Sequence, residues 1–379
     1  MNQVIEQRIR RRGGILSTEN MPPEFGKSIN YVKSRANSLI EHLRDQIRNL
    51  GPIEFDIIDN YAFNAFATGH NSEYFIGVNR GTIATLGLVF DRMLADKNVL
   101  KFIGDNTIED DDLPLLDNLT MNFEATVDML PRFNPPKCPT RNYFSKHFSR
   151  MALDFIISHE ITHIINGHVD MGKSLHNMHL EEIGMNNDTS IEKGMISKSF
   201  ELDADTWATK MLLSSEIRRC FGENPLPSKE AKDFYSRPGM VLMQFSIVLA
   251  TIFRIFGDQR LNTVSFETDT YPKPRLRFVI SKLIIAQEED FLRLNSKMNF
   301  DLDEFGVPII VGPSFNLIEE AFETITGIQR NSTSSSEARS DVGISQINSV
   351  IRYWNNNLID SLKRFSYIKT LPKNEYSSR

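Results

Sequence analysis

Cysteine is nearly absent from this chain. Cys138 and Cys220 are its only two, too few for a disulfide framework, and nothing near either suggests a thiolate metal site. Long apolar runs are missing as well. The most hydrophobic stretch, Met240–Phe253 (MVLMQFSIVLATIF), is too short to cross a bilayer comfortably and contains Gln244, Ser246 and Thr251, so it reads as a buried helix. No apolar stretch follows the N-terminal arginines, so no secretory signal is expected. Nor is there a basic excess. Lys and Arg number 43 against 49 Asp and Glu, a net charge of −6, and phosphate neutralisation requires a basic surface. The one basic run, Arg8–Arg12 (RIRRR), reads as a solvated N-terminal arm. These absences lead to the expectation of a soluble, cytoplasmic protein with neither nucleic acid nor membrane as partner.

What is present describes a folded protein: 40% hydrophobic and 24% charged residues, in a chain of 379 that can bury a sizeable core as one large domain or two ordinary ones. Ile29, Val32, Ala36, Leu39, Ile40, Leu43 and Ile47 form one apolar stripe, which predicts the first ordered helix over 28–50, closed by Gly51-Pro52. Ile53–Ile58 (IEFDII) reads as a strand. Asn64–Asn79 (NAFATGHNSEYFIGVN) reads as a hairpin around Gly69–Ser72. Arg80–Asp96 is helical again. Residues 104–140 carry the acidic cluster Glu109–Asp112 and prolines from Pro114 to Pro139, the marks of a surface excursion. A long helix starts near Asn142 and stops at Asn166-Gly167. Polar sequence over 169–198 separates it from another helix at 199–219. The segment 331–340 (NSTSSSEARS) has the composition of a flexible linker.

The informative stretch is His159-Glu160-Ile161-Thr162-His163, inside that long apolar-periodic helix. Positions i and i+4 are helix neighbours, about 5–6 Å apart at Cβ, so two imidazoles can converge on one ion. Zinc binds such nitrogens and, in catalytic sites, keeps three protein ligands and one water. Glu160 points away from the ligand line, where its carboxylate can act as general base on that water. Metzincin spacing is excluded, because the positions for its glycine and third histidine are Asn166 and Val169. His168 falls off the ligand face and reads as a cap or as a support behind the ligands. The third ligand is expected at Glu201 in Phe200-Glu201-Leu202-Asp203-Ala204-Asp205. Glu201 and Asp205 are again i and i+4, so one can bind zinc while the other orients a ligating histidine. Glu181, Glu182 and Glu192 are rivals, set in loop-like sequence.

Four stretches resemble the gluzincin metallopeptidases, especially the family of the CAAX prenyl endopeptidase and HtpX and its soluble relatives: NAFATG at Asn64–Gly69, HEITHIINGH at His159–His168, ELDADTWA at Glu201–Ala208 and, more weakly, TYPKPRLR at Thr270–Arg277. Soluble phage-exclusion peptidases share the pentad. The resemblance implies a mainly helical α+β fold of zincin type, with a small sheet over an active-site helix. It spans roughly residues 55–280, and the chain divides accordingly into an arm and helix (1–52), a zincin-like domain (53–280) and a C-terminal extension (281–379). The implied activity is zinc-dependent endopeptidase hydrolysis, with the protein or peptide substrate bound along an edge strand within Asn64–Asn79, at 73–79. Tyr271 stands where the family has histidine; its hydroxyl can donate to the developing oxyanion. Arg275 and Arg277 read as solvated. A catalytically idle zincin scaffold serving a regulatory or interaction role is the alternative.

Overall fold

The computed structural model describes residues 2–19, 21, 23–116, 135–176, 191–222, 232–256, 306–328 and 340–368. Its sheet has three strands, β1 (Ile53–Ile58), β2 (Ala65–His70) and β3 (Glu73–Asn79), in the order β1-β3-β2. β2 and β3 form the expected hairpin. Its two-residue turn, Asn71 and Ser72, has positive φ at both positions (49° and 61°), the handedness that matches the twist of the flanking strands. β1 pairs parallel to β3, which places β3 in the middle. The expected edge at 73–79 is therefore internal, with partners on both sides, and the sheet's edge beside the hairpin is β2. Strand order depends on non-local pairing, and the alternation within 64–79 carries no information about what lies across it.

Strand alternation gives the sheet two faces. Ile53, Phe55, Ile57, Tyr74, Ile76, Val78, Ala65 and Ala67 enter the main hydrophobic core. Ile58, Phe66 and Phe75 lie on the other face, where Ile5 and Ile9 of helix α1 (Gln3–Arg11) cover them. The basic run is thus part of a helix packed on the sheet, not a solvated arm. Two apolar residues at i and i+4 were enough once a sheet face was there to receive them. Arg12 stacks over Phe66 at 4.3 Å. Arg8 reaches the β2 edge, donating to Thr68 Oγ1 at 2.8 Å and to the Gly69 carbonyl at 3.1 Å.

The main-core face of the sheet rests on the central helix α4 (Pro139–Ile165), which packs against β2 and β3. Small side chains at Ala65, Ala67 and Gly69 let β2 come close. Helices α2 (Pro23–Gln46), α3 (Arg80–Ala95), α6 (Ile191–Cys220) and α8 (Pro238–Ile255) surround α4. Further helices among the described residues are α5 (His168–His176), α7 (Lys232–Tyr235), α9 (Gly306–Thr326) and α10 (Asp341–Tyr353). A π turn at Trp354–Leu358 and a last short helix, Ile359–Leu362, follow α10. One hydrophobic core runs without a break from Leu16 to Leu362 and includes Ile318, Phe322 and Trp354. α8 is long and apolar enough to span a membrane, but 78% of it is buried in the protein.

The described parts of two stretches expected to be irregular are ordered. Residues 96–116 wrap around buried guanidinium groups. Arg141 donates to the carbonyls of Leu94, Asp96, Val99, Leu100 and Ile103. Arg92 pairs with Asp96 and donates to Leu113 and Pro114. Glu109, expected at the surface, is buried and accepts from the Lys137 and Cys138 amides at the start of α4, where a carboxylate also meets the positive end of the helix dipole. Within 169–198, α5 forms directly after Gly167, burying Val169 and Met171, and α6 begins at Ile191, earlier than the expected 199.

Candidate metal centre

α4 presents His159 and His163 on one face, as their spacing requires, and α6 crosses it to bring Glu201 opposite. The His159 and His163 Nε2 atoms are 3.0 Å apart. Glu201 Oε2 lies 3.4 Å from His159 Nε2, and its Oε1 lies 3.5 Å from His163 Nε2. All three donors fall within 4.8 Å of one another, and all three residues are buried. Ligands held at about 2.0–2.1 Å around a tetrahedral ion stand about 3.3–3.4 Å apart. The two nitrogens and the carboxylate therefore already have the spacing and chemistry of a site able to hold a metal ion. Of the rival ligands, Glu192 is exposed in the first turn of α6, while Glu181 and Glu182 lie outside the described residues.

Each histidine is oriented from behind. Asp205, one turn after Glu201, places Oδ1 3.0 Å from His159 Nδ1. Burial acts to lower the His159 pKa, but the carboxylates of Asp205 and Glu201 outweigh it and hold it well above its ordinary value. A metal binding there displaces a proton. His163 Nδ1 faces another imidazole, His168 Nδ1, at 3.0 Å. His168 Nε2 in turn lies 3.2 Å from Asp203 Oδ2, and Asp203 also accepts from Asn166 Nδ2. The His168 ring stacks on Phe200 (centroids 4.4 Å apart, planes at 8°) and meets Trp354 edge-on at 6.0 Å.

Residues 30–186 match the model of Peptidase family M48. The match supports the gluzincin kinship that the pentad and the acidic helix implied, and the chain carries a buried His/His/Glu group able to hold a metal ion. No curated protein and no solved structure matches the chain. The M48 match includes the pentad and ends before Glu201, which the crossing of α6 on α4 brings beside the two histidines.

Glu160 sits beside His159 on α4 and is buried. Tyr271, Arg275 and Arg277 lie outside the described residues. Sequence reasoning missed Asp203 and the aromatic walls Phe200 and Trp354. Phe200 and Asp203 do share an i, i+3 stripe of α6 beside the Glu201–Asp205 pair, a signal that becomes legible only once His168 is known to sit against it. Asn166, read only as a stop signal, has the further role of holding Asp203.

Proposed function

We propose that this chain is a zinc-dependent endopeptidase of the M48 type. The observation that carries the reading is the buried donor triad His159, His163 and Glu201 within 4.8 Å, with the carboxylate of Glu160 on the next position of the same helix. Zinc held there supplies a Lewis acid that polarises the scissile carbonyl and acidifies the attacking water. Glu160 takes the proton from that water as it attacks and delivers it to the leaving amine. Asp205 keeps the Nε2 lone pair of His159 aimed at the ion by accepting its Nδ1–H. Tyr271 is proposed as oxyanion donor on sequence alone.

The substrate is proposed to bind as an extended peptide along β2, since strand addition needs an unpaired edge. The bond from Asn79 N to Asn64 O sets the hairpin's alternation, so the main chain of Ala65, Ala67 and Gly69 faces outward. The Gly69 carbonyl is held by Arg8 and the Ala65 N–H by the Asn64 side chain, contacts that a bound peptide would have to displace. We place the protein in the cytoplasm as a soluble chain, with α8 read as a core helix. Fractionation of expressed protein tests that assignment, and recovery with membranes refutes it.

The decisive experiment measures zinc content and peptide hydrolysis for wild type, Glu201→Ala and Glu160→Gln. Wild type should hold one zinc per chain, Glu201→Ala should lose it, and Glu160→Gln should keep zinc and lose turnover. Full activity in Glu160→Gln would defeat the mechanism. A second reading, an idle zincin scaffold serving interaction, draws on the burial of Glu160 and all three donors. It is favoured if wild type binds zinc yet cleaves no peptide in a broad substrate mixture.

A further inference from the structure

The two ligand histidines are supported unequally. His159 meets a carboxylate directly, whereas His163 meets His168. For His163 to offer its Nε2 lone pair to a metal, its proton must be on Nδ1. The His168 Nδ1 at 3.0 Å must then accept that proton's hydrogen bond, so the His168 hydrogen resides on Nε2, 3.2 Å from the Asp203 carboxylate. Only this pair of tautomers both leaves His163 Nε2 available and turns an N–H of His168 toward the Asp203 carboxylate.

We propose that His168 is a positioning residue for the metal ligand His163, acting through this two-imidazole chain anchored on Asp203. The proposal rests on the metallopeptidase reading above. His168 and Asp203 are buried almost completely, so neither contact of the His168 ring is open to bulk water. The ring has little freedom to turn, with Phe200 stacked on one side and the edge of Trp354 against it.

Part of this support comes from far beyond the M48 match. Trp354 belongs to the C-terminal π turn. The segment after it reaches the turn that follows α4, where Tyr367 N donates to the Ile165 carbonyl at 2.9 Å and Ser366 Oγ donates to the same oxygen at 3.3 Å. Residues 354–367 thus hold the turn that delivers His168, which gives this part of the C-terminal extension a specific task at the metal centre.

The test uses the full-length chain and reads zinc affinity by competition with a chelating dye, together with the visible spectrum of the cobalt-substituted protein. His168→Phe keeps a ring between Phe200 and Trp354 but removes both ring nitrogens, the one bonded to His163 and the one facing Asp203. It should weaken zinc by roughly 10–100-fold, the usual effect of losing a group that orients a ligand, and alter the cobalt spectrum. His168→Asn retains an acceptor near the Nδ1 position and should recover part of the loss, which a packing role would not permit. Zinc affinity in His168→Phe within twofold of wild type, or no recovery in His168→Asn, overturns the proposal. Should His168→Phe fail to fold, Asp203→Asn leaves the stacked ring in place, and unchanged affinity there overturns it equally. A wild type that binds no zinc defeats the metallopeptidase reading itself. A wild type that binds one zinc, with an indifferent His168→Phe, defeats this inference alone.

Discussion

Acid should loosen the scaffold that carries the ligands, and His147 gives the effect a size. This residue lies on α4 upstream of the pentad, stacked on Tyr143 with planes at 11° and bordered by Phe144 and Phe148. Its Nε2 is 3.1 Å from the hydroxyl of Tyr235, which donates to Glu216 on α6. The cluster therefore ties together α4 and α6, the two helices that carry His159, His163 and Glu201. Burial pushes the His147 pKa down from 6.5 to about 3, with Arg219 and Arg150 adding repulsion. A depressed folded pKa means that protons bind the unfolded chain more readily. The stability from a neutral His147 is full above about pH 6.5 and is lost as pH falls toward about 3. Each unit within that window costs about 1.4 kcal/mol, tapering near its upper end, so going from pH 7 to 5 should remove about 2 kcal/mol. That is a large part of a typical net stability of about 5–15 kcal/mol. Urea unfolding of metal-free wild type and His147→Phe at pH 7 and pH 5 measures it. The variant should lose about 2 kcal/mol less than wild type between the two pH values. The raised pKa of His159 acts with the opposite sign in both proteins and cancels. Equal acid losses in the two proteins would refute the assignment.

Arg141→Ala should destabilise the fold by more than about 3 kcal/mol in urea, because it strips a buried donor from five carbonyls of the 94–103 loop; a change below about 1 kcal/mol would mean those carbonyls find other partners. Gly167→Ala forces a side chain onto a φ of +83° and sets a Cβ 2.6 Å from the Phe365 carbonyl carbon. It should cost about 2 kcal/mol or more in thermal unfolding, and a neutral outcome would show that the C-terminal segment yields easily. Asp205→Asn should weaken zinc roughly 10–100-fold in a chelator competition, and unchanged affinity would remove Asp205 from the orienting role.

The pentad was legible because its chemistry is local. An i, i+4 pair inside an apolar helical pattern predicts its own geometry, and α4 presents His159 and His163 as that spacing requires. Glu201 and Asp205 were legible for the same reason on α6, as were the strands of the hairpin and the stop at Asn166-Gly167. The substrate edge was not. Whether β2 or β3 is the outer strand is decided by β1, which joins β3 in parallel from across an intervening connection. The N-terminal helix hid its role because Ile5 and Ile9 offer too short a stripe to be read without the sheet face they cover.

Residue type and helical spacing by themselves determined which side-chain atoms share one helix face, since backbone geometry within one helix repeats wherever the helix is placed. Tertiary structure alone decided what stands behind those atoms. Asp203 meets His168, and Trp354 closes against the same ring, through the packing of α4, α6 and the C-terminal π turn. Such contacts join segments with no common period, and only the shared burial of their apolar faces brings them together.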